Sequence, residues 1–115
     1  MKLAVFHKNE LGQFRQVAQV DLSDAEFDNM TRDDALEYAW RWTQNLAGSW
    51  SMKLGEDAND RVTVTAEFPQ YMGRVYGHRS SDLGDLIVLE GSTELGADGT
   101  YEVAAIGFTR REVAL

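Results

Sequence analysis

One capped, amphipathic helical stretch stands between two blocks of strand-like sequence, and that arrangement most limits what this chain can fold into. Thr31 is followed three residues on by Asp34, an N-cap signature, and Asp33 and Asp34 sit where the helix dipole favours carboxylates. Leu36, Ala39, Trp40 and Thr43 then recur at helical spacing to Leu46 and Ala47. Ala35, Tyr38 and Trp42 widen the stripe, and Gly48 supplies a stop. Upstream, Ser23 and Glu26 fit a capping box opening a short turn through Phe27 and Met30, so the helical segment 23–47 is expected in two pieces.

The flanking blocks carry strand periodicity. Lys2 to Lys8, turn chemistry at Asn9 to Gly12, and Gln13 to Val20 read as an N-terminal hairpin over 2–20, its second strand apolar on both faces. The β-rich half, 50–113, holds several further segments. They are a short strand near Trp50 to Leu54, a cleanly alternating one from Arg61 to Phe68 closed by Pro69, and one around Gly73 between Tyr71 and Tyr76. A buried run follows at Leu86 to Leu89, with a partner at Tyr101 to Ile106 and Gly107 as a bulge in its extension to Val113. Strands on both sides of one helix predict a single α+β domain over 1–115, the helix packed on a largely antiparallel sheet.

Composition narrows the chemistry. The 115 residues are 43% hydrophobic, enough to fill a core without staples and against disorder. The absence of cysteine excludes disulfides, zinc thiolate sites and thiol nucleophiles. No export signal is read at the start, and no apolar run nears the roughly 20 residues that span a bilayer, so the expectation is a cytoplasmic protein without membrane contact. Nineteen Asp and Glu against eleven Lys and Arg leave a net charge of −8, which disfavours direct binding to nucleic acid.

No catalytic set stands out. His7 and His78 lie in different elements with no metal-ligand spacing, and Ser23, Ser80 and Ser81 sit outside any nucleophile elbow. The glycines form neither a dinucleotide fingerprint nor a phosphate loop, and any glycosidase-like carboxylate pair would be an arbitrary choice. No metal, no cofactor and no enzymatic activity are therefore expected.

Charge placement is more informative than its total. Between Asp21 and Glu37 seven carboxylates face one arginine, Arg32, so −6 of the charge falls in one stretch. Such a stretch is a solvated helix entrance or a surface for a basic partner, with Asp24, Glu26, Asp33, Asp34 and Glu37 as contacts. Arg74, Arg79, Arg110 and Arg111 with nearby Tyr71, Tyr76, Tyr101 and Phe108 give the second half an opposite character, conceivable as a base-stacking surface. Trp40 and Trp42 point about 200° apart on a helix, so both cannot enter one core. Trp40 is placed in the core and Trp42 at the interface, since Trp anchors interaction hot spots.

Leu36 to Asn45, Gly48-Ser49-Trp50, His78 to Ile87, Tyr101-Glu102-Val103 and Ile106-Gly107-Phe108 together resemble a group of short uncharacterised proteins encoded by actinobacterial phages and plasmids. The shared elements are Thr43-Gln44-Asn45, Gly48-Ser49-Trp50, Arg79-Ser80 with Gly84-Asp85, and Gly107-Phe108. The chain departs from the pattern at Asp82, where the group has a second small hydroxyl residue. The resemblance implies an accessory protein in an actinobacterial host cytoplasm.

Together these readings predict a non-enzymatic accessory protein that binds a basic surface on a host protein through an acidic helical face and exposed aromatics. One alternative is a mimic of DNA that inhibits a DNA-binding or restriction protein. Another is a small ligand site or enzyme built on the turn bearing His78, Arg79, Asp82 and Asp85, and a fourth is assembly through a sheet edge, with the oligomeric state left open.

Overall fold

A computed structural model describes all of residues 1–115. Its strands are β1 (Lys2–Lys8), β2 (Phe14–Asp21), β3 (Gly48–Ser49), β4 (Leu54–Gly55), β5 (Val62–Val64), β6 (Gln70–Tyr71), β7 (Arg74–Val75), β8 (Leu86–Glu90), β9 (Gly99–Val103) and β10 (Phe108–Arg111). One α-helix, α1 (Arg32–Arg41), follows a single 3₁₀ turn at Ala25–Phe27. Six strands form an antiparallel sheet in the order β10-β9-β8-β1-β2-β5, and β3-β4 and β6-β7 are separate two-stranded ribbons. The α+β reading therefore holds, with a smaller helical share than the sequence suggested.

The sheet buries one face under α1, which lies against β1 and β8. Alternation puts Leu3 and Val5 of β1, Ile87 and Leu89 of β8, and Tyr101 and Val103 of β9 on that face, where Ala35, Leu36 and Ala39 of the helix meet them. The expected N-terminal hairpin forms, and its two-sided apolar pattern has a local cause. Register slips between Val5 and Phe6, where Ala18 and Gln16 are their partners and Val17 is the extra residue. This bulge lets Val17, Ala18 and Val20 all enter the core.

Thr31 caps α1 as expected, its hydroxyl accepting from the Asp34 amide at 3.2 Å. Glu94 reaches across from the β8–β9 connection to accept from the Arg32 amide at 2.9 Å, adding a carboxylate at the positive end of the dipole. The capping box at Ser23 does not form. Asp24 holds the cap position of the 3₁₀ turn without a side-chain bond, and Ser23 instead donates its amide to Asp21.

The helix stops at Arg41, several residues before Gly48. Thr43 turns its hydroxyl back onto the Ala39 carbonyl at 2.8 Å, while its own carbonyl, the Gln44 side chain and the Asn45 amide bond to the segment 78–81. Long-range partners thus replace the next helical turn. Gly48 serves another purpose: it pairs with Gly55, and a Cβ at position 48 would collide with the Leu54 carbonyl.

Three smaller expectations change. The alternation from Arg61 to Phe68 persists in burial, but ladder bonding ends near Val64 because the chain leaves the sheet to wrap His78. Residues 50–53 are turns between β3 and β4 rather than a strand. Gly107, at φ 68°, closes a tight turn into β10, with Ala104 donating to its carbonyl, and is not a bulge.

Candidate functional site

Three of the motif stretches, Thr43 to Asn45, Gly48 to Trp50 and Arg79 to Asp85, meet in one largely buried polar node. Trp50 is completely enclosed, its indole N–H donating to the Arg79 carbonyl at 2.9 Å and its amide to Asn45 Oδ1 at 2.9 Å. Asn45 Nδ2 donates to the His78 carbonyl at 3.0 Å, and Gln44 Nε2 to the Ser81 carbonyl at 2.9 Å. Ser51 accepts from the His78 amide at 2.7 Å. His78 stacks between Trp50 and Phe68, at 5.9 and 5.5 Å between ring centroids, and its Nε2 meets the Ala66 carbonyl at 3.2 Å.

At the centre lies a chain of hydroxyls. Thr43 donates to Ala39, so the Thr43 oxygen accepts from Ser81 Oγ at 2.7 Å, and Ser81 accepts from His7 Nε2 at 3.0 Å. Every proton in this series points one way, from His7 towards Ala39. That order fixes the Nε2–H tautomer of His7 by hydrogen-bond logic.

Ser81, His7 and Asp85 have the composition of a catalytic triad but not its geometry. Asp85 Oδ2 lies 3.8 Å from the same His7 Nε2 that meets Ser81, so it does not orient the ring through the opposite nitrogen. Ser81 is buried and gives its proton to Thr43, away from any base. Asp85 itself is saturated. It accepts from the Lys8 amide at 2.8 Å, the Asp82 amide at 2.7 Å and both Arg79 terminal nitrogens at 2.6 and 2.9 Å.

The electrostatics follow from this packing. Burial dominates at His7 and lowers its pKa to about 4, against the opposing pull of Asp85, so the imidazole is neutral at pH 7. Burial pushes the Asp85 carboxyl up, but Arg79 and the two amides together outweigh it and hold the group below the usual carboxylate range. Enclosed Asp57 is likewise held low, by the Ala47 amide first and then by Arg41, despite the penalty of burial.

The node supports an open groove of about 650 Å³. Glu37, Trp40, Arg41 and Gln44 form one wall, Ser81, Asp82 and Leu83 the second, and Val103 to Ala105 with Gly107 and Phe108 the third. Trp40 is 38% exposed and Leu83 58% exposed on this surface. Glu37 and Asp82 form no ion pair, whereas Arg41 is tied to Asp57 at 3.1 Å. The lining is therefore half apolar, with two carboxylates that form no ion pair.

Of the candidate contacts, Glu37 and Asp82 meet in this groove, although they come from the helix and the turn that were read as separate sites. Asp24 and Glu26 lie elsewhere, held by Arg61 at 2.6 and 2.8 Å, and Asp33 pairs with Arg32 at 3.1 Å. Asp34 is exposed in the first turn of the helix. His78, Arg79 and Asp85 belong to the node. Across it a second depression, about 510 Å³, includes His7, His78 and Arg79 with Lys8, Arg15 and Glu67. No group of three or more His, Asp or Glu side chains converges where a metal ion could be held.

The burial of the two tryptophans is the reverse of that expected. Trp42 is half-buried, packed against Tyr38 at 6.1 Å and covered by the Arg41 guanidinium at 4.3 Å, while Trp40 opens into the groove. The cause is the early helix end together with a core stripe of Ala35, Leu36 and Ala39, which turns position 40 outward. Leu83 has no contact role in the sequence reading, and Phe108 has one only on the base-stacking surface. An apolar residue inside a polar turn, Asp82-Leu83-Gly84, was the available signal for the first.

No helix is long and apolar enough to cross a membrane. No family model, curated protein or solved structure matches the chain, so its functional reading rests on the groove and the node that holds it.

Proposed function

We propose that the chain is a non-enzymatic binding module whose groove takes a basic, apolar segment of another protein. One observation carries this reading: Trp40 and Leu83 are exposed in a concave site that also presents Glu37 and Asp82 without cationic partners. An exposed Trp in a pocket supplies contact area at low entropic cost, and unpaired carboxylates at its edge select a partner bearing Lys or Arg. The node fits a supporting role, because its ordered hydroxyls position α1 against the 78–85 turn and leave no activated nucleophile. A partner in the cytoplasm of an actinobacterial host, for an accessory protein of phage or plasmid origin, completes the proposal.

The DNA-mimic alternative is less well supported by this surface. Arg61 spans Asp24 and Glu26, and Arg32 sits on Asp33, so cations interrupt the row of carboxylates that would have to imitate phosphates.

Capture from host lysate separates these readings. The proposal expects Trp40→Ala, and the double change Glu37→Lys with Asp82→Lys, to lose the partner that wild type retains. Asp24→Asn with Glu26→Gln should keep it. An unchanged set of captured proteins in the groove variants sinks the proposal, and displacement of the partner by duplex DNA would favour the mimic.

A further inference from the structure

The β6–β7 ribbon is a tight hairpin whose two central residues, Met72 and Gly73, both have positive φ, 50° and 77°. That is the pattern of a type I′ turn, which favours Asn-Gly or Asp-Gly. A methionine held there costs roughly 1–2 kcal/mol from the clash of its Cβ with the following carbonyl. Folding offers no return for that strain. Met72 is 84% exposed and takes no part in the core, and Tyr71, Val75 and Tyr76 beside it are exposed as well.

The hairpin thus presents exposed apolar and aromatic side chains with a single charge, Arg74, which forms no ion pair. Aromatic residues, Met and Arg are the types enriched in interaction hot spots. A single-stranded nucleic acid is a poor occupant for it, because one arginine on a chain of net charge −8 cannot offset a phosphate backbone.

The groove offers this hairpin a concave site of opposite charge. Half of its lining residues are hydrophobic, and it carries Glu37 and Asp82 to meet Arg74. Its volume of about 650 Å³ lies within the range of sites that enclose a few large side chains. No hairpin residue lines the groove of its own chain, and the segment leading into the hairpin, Phe68 and Pro69, borders the depression on the other side of the node.

We infer that the β6–β7 hairpin of one copy docks in the Trp40 groove of a second copy. The inference rests on the groove being a docking site and names a partner for it. The two surfaces differ, so the contact is heterologous: each bound copy still offers a free hairpin or a free groove, and association continues into a ring or an open chain of subunits. Self-association therefore competes with a foreign basic segment for the same groove, which keeps the groove covered at high concentration and opens it on dilution or on encounter with a tighter partner.

Sedimentation velocity of the purified chain, from micromolar to millimolar concentration, tests this directly. Wild type is expected to associate. Met72→Asn restores the favoured turn residue while removing the apolar tip, so it should fold at least as stably yet associate at least about tenfold more weakly. Arg74→Glu and Glu37→Lys should each weaken association, and an equimolar mixture of the two should regain it, since every hairpin–groove pair between the variants again joins opposite charges. A monomeric wild type, association unaltered by Met72→Asn, or a mixture that stays dissociated each overturns the inference. Trp40 emission, read as the change above that of enclosed Trp50 in a Trp42→Phe background, is titrated alongside with a short synthetic peptide of alternating tyrosine and arginine. A response to this peptide from a chain that remains monomeric leaves the groove reading standing and the hairpin docking refuted. No response and no association remove both.

Discussion

Replacing Asp85 with alanine should remove a large share of this protein's stability. The carboxylate is buried and accepts four hydrogen bonds, from the Lys8 and Asp82 amides and from both terminal nitrogens of Arg79. Its loss leaves two partly buried backbone donors without that acceptor, at roughly 1–3 kcal/mol each. Arg79 is 45% exposed and can turn towards water, so its charge adds little to the penalty. The expected loss is about 3–5 kcal/mol, set by those two donors. That is a large part of the roughly 5–15 kcal/mol that holds a small domain together, and it should lower Tm by about 12–20 °C in a chain of this length. Urea unfolding monitored through Trp50, which the node encloses, reads it out. Asp85→Asn keeps an acceptor oxygen and should cost about half as much. Asp82→Ala is the control: its exposed side chain accepts only from the Leu83 amide and its backbone alone serves Asp85, so it should change stability by less than about 1 kcal/mol. A loss below about 1 kcal/mol in Asp85→Ala would refute the claim that this carboxylate organises the turn.

Three further outcomes follow from the same structure. His7 is held neutral with its pKa lowered to about 4, so between there and the unfolded value near 6.5 the unfolded chain binds more protons; stability should be complete above pH 6.5 and fall towards pH 4, by about 3 kcal/mol in all, and pH-dependent unfolding of a His7→Asn variant should lose this slope. Asp85, whose pKa is lowered, adds a loss that begins only as pH drops below the ordinary carboxylate value near 4. Gly48→Ala places a Cβ against the Leu54 carbonyl and should cost about 1–3 kcal/mol in chemical denaturation, with a neutral result arguing against the tight β3–β4 pairing. Thr31→Ala removes the hydroxyl that caps the Asp34 amide and should cost about 1 kcal/mol, which Thr31→Ser recovers.

Legibility in the sequence divides along range of interaction. The β1–β2 hairpin, the start of α1 at Thr31 and the buried β8 strand were readable because alternation and capping are set by residues a few positions apart. The end of α1 was not, because Thr43, Gln44 and Asn45 bond to residues 78–81 and no local signal reports that choice. The same cause reversed the tryptophans: position 40 reads as core on a longer helix and faces a groove on the shorter one.

The sequence by itself determined an α+β chain with acidity gathered around the helix entrance, and it marked the Thr43-Gln44-Asn45, Gly48-Ser49-Trp50 and Arg79 to Asp85 stretches as distinctive. Tertiary structure alone decided that these stretches share one hydrogen-bonded node, that Arg61 takes up Asp24 and Glu26, and that Glu37 and Asp82 converge on Trp40. The physical reason is that side-chain periodicity encodes which face of an element is buried, whereas a groove is made by elements some twenty to forty residues apart, and its charge depends on which ions find partners across such distances.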